Sequence, residues 1–496
     1  MRSTTSVRRL FAVATAALVV AAGIGATAPA VAATAPALTI AASTTGAAYG
    51  QTVVVSGTAR SGTGPVATKV TVETRADGSA PWSALTTTTS SSAGAWSAST
   101  KALRAVQLRA RATIGSTSAT SPTVSIAVQP QLYDAAASGS ADVAVGGVRT
   151  FTARLHAGLA GKRVKVERWT PNGWVFAAQS YAKTGGVVSI PVTVDRWGAG
   201  AYRIVVPSGD GLVVKASGVI KAGAYGAATK VLDDGKACFG ADAGATVDCD
   251  GSRWGQTLSP KPGDAEKDTQ GAFSCYTSDV NATLPSCRSG STRADALRVA
   301  VTGDSHGGML LSGIKSTAST LNWRVDSYVG RGCVLASTSA SDPCQKRRTD
   351  LAKRLAAGGY DLVIVTALRS DSVDPSTYSA AWKALIAKGT KVVAVADDPM
   401  QSAAAVSCAV NARTYSAASA CGTAKSAAFS VQDPLRAAAA QTPGATLVDQ
   451  TGRMCDATTC PVVIGHVTAY RDQHHMTATF VRTLVPYLVG EMAGSL

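Results

Sequence analysis

The chain has 496 residues, 46% of them hydrophobic and 16% charged, with a formal net charge of +16. That length suits about three domains with ample cores. Beyond the N-terminus no stretch approaches 18 apolar residues without a charge, which excludes a membrane-spanning helix in the mature protein.

The first 32 residues read as an export signal. Arg2, Arg8 and Arg9 precede an apolar run over 10–24, and Ala30-Val31-Ala32 fits a small-residue cleavage site. The mature protein is therefore expected outside the cytoplasm, secreted or associated with the cell wall.

Residues 33–230 are rich in Ala, Thr, Ser, Val and Gly and hold no cysteine. Short alternating runs such as Lys69-Val-Thr-Val-Glu73 and Arg163-Val-Lys-Val-Glu167 read as strands. A weak repeat of about 95 residues brings Trp82 and Gly94 back as Trp174 and Gly185. This predicts two tandem immunoglobulin-like β-sandwiches, 33–128 and 129–222, and then a linker over 223–234. Trp82, Trp96, Trp169, Trp174 and Trp197 all fall in this region. They either stack on sugar rings or fill sandwich cores.

From 235 to 496 strands alternate with helices. Strands are expected at 298–303, 360–366, 391–396, 446–449 and 462–467, with helices at 309–323, 378–388 and 476–492 and an Ala-rich helical stretch after 400. Such alternation predicts an α/β/α domain on a parallel sheet, with chemistry beyond the carboxyl ends of its strands.

All ten cysteines lie in this last region. An even count in an exported chain predicts disulfides. The positions fall into five close neighbours: Cys238–Cys249, Cys275–Cys287, Cys333–Cys344, Cys408–Cys421 and Cys455–Cys460. With no Cys-x-x-Cys and no clustered histidines in the sequence, neither a metal nor another cofactor is expected.

Charge divides the chain at the same place. Residues 33–230 carry 19 Lys and Arg against 7 Asp and Glu, whereas 231–496 carry 25 against 24. The basic excess of the β region is either a plain soluble surface or a match for anionic wall polymers or phospholipid head groups. Nucleic acid is not an expected partner of an exported protein.

The stretch with most chemistry is Val299-Ala-Val-Thr-Gly303-Asp304-Ser305-His306-Gly307-Gly308. An apolar run ends in a small polar turn before a helix, so Ser305 stands at a strand end and a helix start. Free N–H groups and the dipole there favour an oxyanion. A serine needs a base and an acid to act as nucleophile. Asp472-Gln473-His474-His475 offers both, because one helical turn would place Asp472 and His475 on one side. His474, two residues from Asp472, would point away on a helix.

Gly-Asp-Ser-His after a strand, followed near the C-terminus by Asp-x-x-His, resembles the SGNH (GDSL-type) hydrolase superfamily. More narrowly, it is similar to the SGNH domains fused to membrane acyltransferases of cell-envelope sugars. Asp398-Pro399, Cys455-Asp456 through Cys460-Pro461 and Tyr470-Arg471-Asp472 add to the likeness, which spans roughly 235–496.

The resemblance implies a triad of Ser305, His475 and Asp472, with oxyanion donors from the Ser305 N–H and Gly332, Gly330 being the second choice for the glycine. His306 would be a turn or supporting group. The family's oxyanion asparagine is missing, since Val365-Thr-Ala-Leu-Arg369 stands at its place, so a backbone N–H or Arg369 would have to substitute. The implied activity is that of a serine esterase or O-acyltransferase. Its substrate would be O-acyl groups, acetyl first, of envelope polysaccharide or glycoconjugate, and a separate membrane acyltransferase could feed it. The alternative is a non-catalytic wall-binding or adhesion protein with a degenerate hydrolase domain.

Overall fold

A computed structural model describes residues 35–496 except 63, 140–142, 233–236, 246–248, 250, 333, 337–340, 342–343, 371 and 494–495. The export signal read at 1–32 lies outside the described residues.

Both N-terminal regions are mainly antiparallel β-structures of immunoglobulin-like style, the exception being Gly46–Ala48, which pairs parallel with Ala127–Gln129. In the first, Thr52–Ser61 pairs with Ala95–Lys101, and Lys69–Arg75 lies between Ser83–Thr89 and Val106–Ile114. Alternation along Thr52–Ser61 buries Val53, Val55 and Ala59 and leaves the residues between them outside. In the second, Val148–Leu155 lies between Leu132–Ser138 and Val187–Thr193, and Arg163–Thr170 between Gly173–Tyr181 and Gly198–Val206.

The repeat in the sequence corresponds to a repeated contact. Glu73 pairs with Arg109 at 2.7 Å, and Arg109 stacks over Trp82 at 4.3 Å. Glu167 pairs with Arg203 at 2.6 Å, and Arg203 stacks over Trp174 at 4.5 Å. Each hairpin shifts register at the same point, Val72/Glu73 and Val166/Glu167. Trp96 is buried and Trp169 meets Trp174 edge-on at 5.2 Å, so these tryptophans are engaged within their own domains.

The C-terminal domain is built on a seven-stranded sheet. Its elements in chain order are β1 Tyr276–Thr277, β2 Cys287–Gly290, β3 Leu297–Gly303, α1 Ser305–Thr317, β4 Trp323–Gly330, α2 Gln345–Gly358, β5 Leu362–Val365, α3 Pro375–Ile386, β6 Lys391–Val395, α4 Ala403–Asn411, α5 Pro434–Ala440, β7 Ala445–Val448 and α6 Ala478–Met492. The spatial order is β1-β4-β3-β5-β6-β7, parallel throughout, with β2 antiparallel on β4.

Helices cover both faces. Val299, Val301, Leu362, Ile364 and Val393 point to the side packed by α1, α4 and α6. Ala300, Val363, Val365, Val392 and Ala394 point to the side packed by α2, α3 and α5. Strands buried on both faces read as continuous apolar runs, and so these do.

One expected strand fails. Residues 462–467 form no sheet strand; Val463–Ile464 and Val467–Thr468 fold into a small hairpin. Gly465 and His466 both take left-handed backbone there (φ 49° and 63°), which turns the chain back. Four of the expected disulfides are present: Cys238–Cys249, Cys275–Cys287, Cys408–Cys421 and Cys455–Cys460. The fifth, Cys333–Cys344, involves Cys333, outside the described residues.

The stretch read as a linker is instead structural over its described residues. Ile220–Ala224 pairs with Gly198–Val206, Tyr225 is fully buried, and Ala228–Leu232 is helical. The second sandwich and the C-terminal domain form one compact unit. Across their seam Trp323 Nε1–H donates to the Tyr225 hydroxyl at 2.9 Å, and Asn322 Nδ2–H to the Ala199 carbonyl at 2.9 Å. Arg196 is ion-paired with the buried Asp295, which also holds Arg293 at 3.0 Å.

Candidate active site

β3 ends at Gly303 and α1 begins at Ser305, so the expected strand–turn–helix is present. Asp304 caps the helix. Its Oδ1 accepts from the His306 N–H at 2.9 Å, and its Oδ2 accepts from the Leu368 N–H at 2.8 Å, tying the turn to the loop after β5. The turn must be glycine-rich because that loop crowds it. A Cβ on Gly303 would lie 2.1 Å from Thr366 Oγ1 and 2.6 Å from its carbonyl oxygen, and one on Gly307 would lie 2.8 Å from Thr366 Oγ1. Ser305 is partly exposed.

Asp472 and His475 meet, but not on a helix: α6 starts only at Ala478, and both residues sit in a tight turn. Asp472 Oδ1 accepts the N–H groups of His474 and His475 at 2.9 and 2.8 Å, and Oδ2 accepts from His475 Nδ1 at 2.7 Å. Burial works against the Asp472 charge, but these hydrogen bonds outweigh it and hold the carboxyl well below the usual range. His475 Nε2 is buried and, among the described residues, has no hydrogen-bond partner. It is the nitrogen a base would use.

The turn docks on α1. Met476 N–H meets Met309 Sδ at 2.8 Å, Gln401 N–H donates to the Gln473 carbonyl at 2.7 Å, and the His475 ring lies 5.1 Å from that of His306. Phe273 packs edge-on against His475 at 6.3 Å and against Tyr276 at 5.3 Å, and the adjacent Cys275–Cys287 bond fixes this wall to β2.

His306 is more than a turn residue. It is buried, with Nδ1 2.6 Å from Asp397 Oδ1 and 3.3 Å from Asp398 Oδ1, and Nε2 3.2 Å from His474 Nδ1. Burial opposes its charge, but Asp397 and Asp398 outweigh burial and raise its pKa well above the usual 6.5. The Asp397 carboxyl is itself pushed up by burial, while the neighbouring imidazole pulls it down. His474 is lowered, first by burial and then by His475. His306 is far in sequence from His474 and His475, yet ring nitrogens of the three come within 4.8 Å of one another. Sequence spacing could not show this, since 168 positions separate His306 from His474. The adjacent acids Asp397 and Asp398, closing the apolar run of β6, were the available signal.

The expected substitute, Arg369, is buried and directs three of its guanidinium N–H groups to the carbonyls of Asp398, Asp397 and Val431 at 3.0, 2.8 and 3.3 Å. Its own N–H goes to Asp397 Oδ2 at 2.7 Å. Gly332 is exposed, with φ +80°, and a Cβ there would meet only Val280 Cγ1, at 4.0 Å, among the described residues. Gly330 is glycine for packing, since a Cβ would lie 2.7 Å from Leu284 Cδ2. Of the other histidines, His156 caps a short turn through Gly158, and His466 stacks on Tyr415 at 3.7 Å.

A doubly covered parallel sheet carrying a serine turn and an Asp–His turn at its carboxyl edge defines a domain of the hydrolase/acyltransferase type. Residues 274–489 match the family "SGNH domain (fused to AT3 domains)", and the C-terminal region is an SGNH domain. No curated protein matches the chain. Among solved structures the chain is similar to the D0-D1 domain of intimin, at 15% identity and a TM-score of 0.16 over 38% of this chain and 97% of that one. It is also similar to the Yersinia pseudotuberculosis adhesin InvE, at 15% identity and a TM-score of 0.23 over 37% of this chain and 58% of that one. No helix among the described residues is long and apolar enough to cross a membrane.

Proposed function

We propose that the protein is a secreted serine esterase or O-acyltransferase acting on O-acyl groups, acetyl first, of cell-envelope polysaccharide or glycoconjugate. The observation that carries this reading is the buried His475 Nε2, unpartnered among the described residues, on a ring whose Nδ1 is held by Asp472 beside the Ser305 turn. His475 takes the Ser305 proton as Oγ attacks the acyl carbonyl, then returns it to the leaving alcohol. Water resolves the acyl-enzyme in an esterase, and a sugar hydroxyl does so in a transferase.

The matched family's fusion to AT3 domains favours an envelope substrate and suits a separate membrane acyl donor. The basic β region, 19 Lys and Arg against 7 acids, suits anionic wall polymers. Such binding should weaken steeply with salt, because exposed charges are screened over about 10 Å at 0.1 M.

The test is release of acetate from acetylated glycans, with and without glycan acceptors, by wild type and Ser305→Ala. Turnover by wild type alone supports the reading. Wall binding with no turnover of any ester would favour a degenerate adhesion protein instead.

A further inference from the structure

A tetrahedral intermediate at Ser305 needs donors aimed at its oxyanion. The Ser305 N–H stands at the start of α1, and the Gly332 N–H is accepted by no backbone group among the described residues. In the loop after β5 the Arg369 guanidinium is held by the carbonyls of Asp398, Asp397 and Val431, and the Leu368 and Arg369 backbone N–H groups go to Asp304 and Asp397.

A buried chain of hydrogen bonds points to another donor. Asp397 Oδ1 can only accept while ionised, so His306 carries a proton on Nδ1. The next link, from His306 Nε2 to His474 Nδ1 at 3.2 Å, also needs one proton. His306 is flanked on its Nδ1 side by two buried carboxylates, which favour the imidazolium and place that proton on His306 Nε2. Among the described residues no carboxylate hydrogen-bonds to the His474 ring, and burial and then His475 lower its pKa against the pull of Asp472 and Asp397, so it is the neutral acceptor. A neutral imidazole accepting at Nδ1 must carry its own proton on Nε2, on the ring side away from His306. His474 is partly exposed and its ring lies 4.1 Å from that of His475.

We propose that His474, its tautomer set by the Asp397–His306 pair, is the third oxyanion donor, offering Nε2–H to the acyl oxygen as Ser305 attacks. This rests on the triad reading given above. As the Oγ–carbon bond forms, the Ser305 proton passes to His475 Nε2 and the carbonyl π pair moves onto oxygen. That oxygen accepts from the Ser305 N–H, the Gly332 N–H and His474 Nε2–H. Collapse restores the carbonyl and breaks the bond to the leaving oxygen, which takes the proton from His475.

The decisive pair of variants is His474→Gln, which keeps an N–H donor, and His474→Leu, of similar bulk without one. With p-nitrophenyl acetate, His474→Leu should lose roughly 10²-fold in kcat with KM little changed, as for loss of one oxyanion donor. His474→Gln should recover most of that. Wild-type kcat in His474→Leu, or equal losses in both variants, would overturn the proposal. If Ser305→Ala is inactive in the same assay, the triad reading survives that failure; turnover by Ser305→Ala would sink both. Imidazole ¹⁵N spectra of the wild-type protein test the tautomer without any variant. They should show neutral His474 protonated at Nε2, and a proton at Nδ1 would overturn the inference.

Discussion

Asp472 uses both carboxylate oxygens on the turn that follows it: Oδ1 for the N–H groups of His474 and His475, Oδ2 for the Nδ1 proton of His475 at 2.7 Å. One side chain thus shapes the turn and selects the His475 tautomer that leaves Nε2 bare. Asp472→Asn should therefore fold but lose about 10⁴-fold in kcat, the scale of losing the right tautomer in a triad. His475→Ala should be at least as damaging, and worse than His474→Leu. Steady-state kinetics on a small ester checks the order, and a more active His475→Ala than His474→Leu would reassign the base.

The turn before Ser305 tolerates no side chain at Gly303, where a Cβ would come within 2.6 Å of the Thr366 carbonyl oxygen. Gly303→Ala should cost about 1–3 kcal/mol through overpacking and lower activity by displacing Ser305. Thermal melts and kinetics would show both. A variant with unchanged melting temperature would mean that the loop after β5 yields easily.

Tyr225 is fully buried against Trp323 and Trp197 and accepts the Trp323 Nε1–H. Tyr225→Ala should destabilise the C-terminal domain by about 3–5 kcal/mol, from lost transfer energy, a cavity and an unpaired indole N–H. For the same reason a fragment starting at 235 should be unstable, while deletion of residues 1–126 should leave ester turnover intact. Denaturant unfolding and activity of the two fragments decide; a stable, active 235–496 fragment would show the seam to be dispensable.

A group whose folded pKa lies above its unfolded value adds stability that is complete below about 6.5 and fades as pH rises through the folded pKa. His306, raised by Asp397 and Asp398 against the opposing effect of burial, is such a group. Melting temperature should therefore fall as pH climbs above neutrality, and His306→Gln should flatten that slope. Parallel profiles for the two proteins would remove His306 from the pH response.

Much of the C-terminal domain was legible because strands buried on both faces spell continuous apolar runs, as in Leu297–Gly303 and Lys391–Val395. The Asp–His pair was legible from spacing, though the turn that joins them is not helical. Hydrophobic runs do not reveal backbone reversal, so 462–467 looked like a strand until Gly465 and His466 bent it. Nor does local composition show burial by a neighbouring domain: small residues around Tyr225 resemble a tether, yet Tyr225 is sealed in the core. The Asp397–His306–His474 chain joins three distant segments, and only the fold brings them together.

Covalent labelling tests the central claim most directly. A fluorophosphonate should react once with the wild-type protein, and peptide mass spectrometry should place the adduct on Ser305. His475→Ala should label far more slowly, and Ser305→Ala not at all. Ester turnover by the wild-type protein with no adduct on Ser305, or undiminished labelling of Ser305→Ala, would contradict the account.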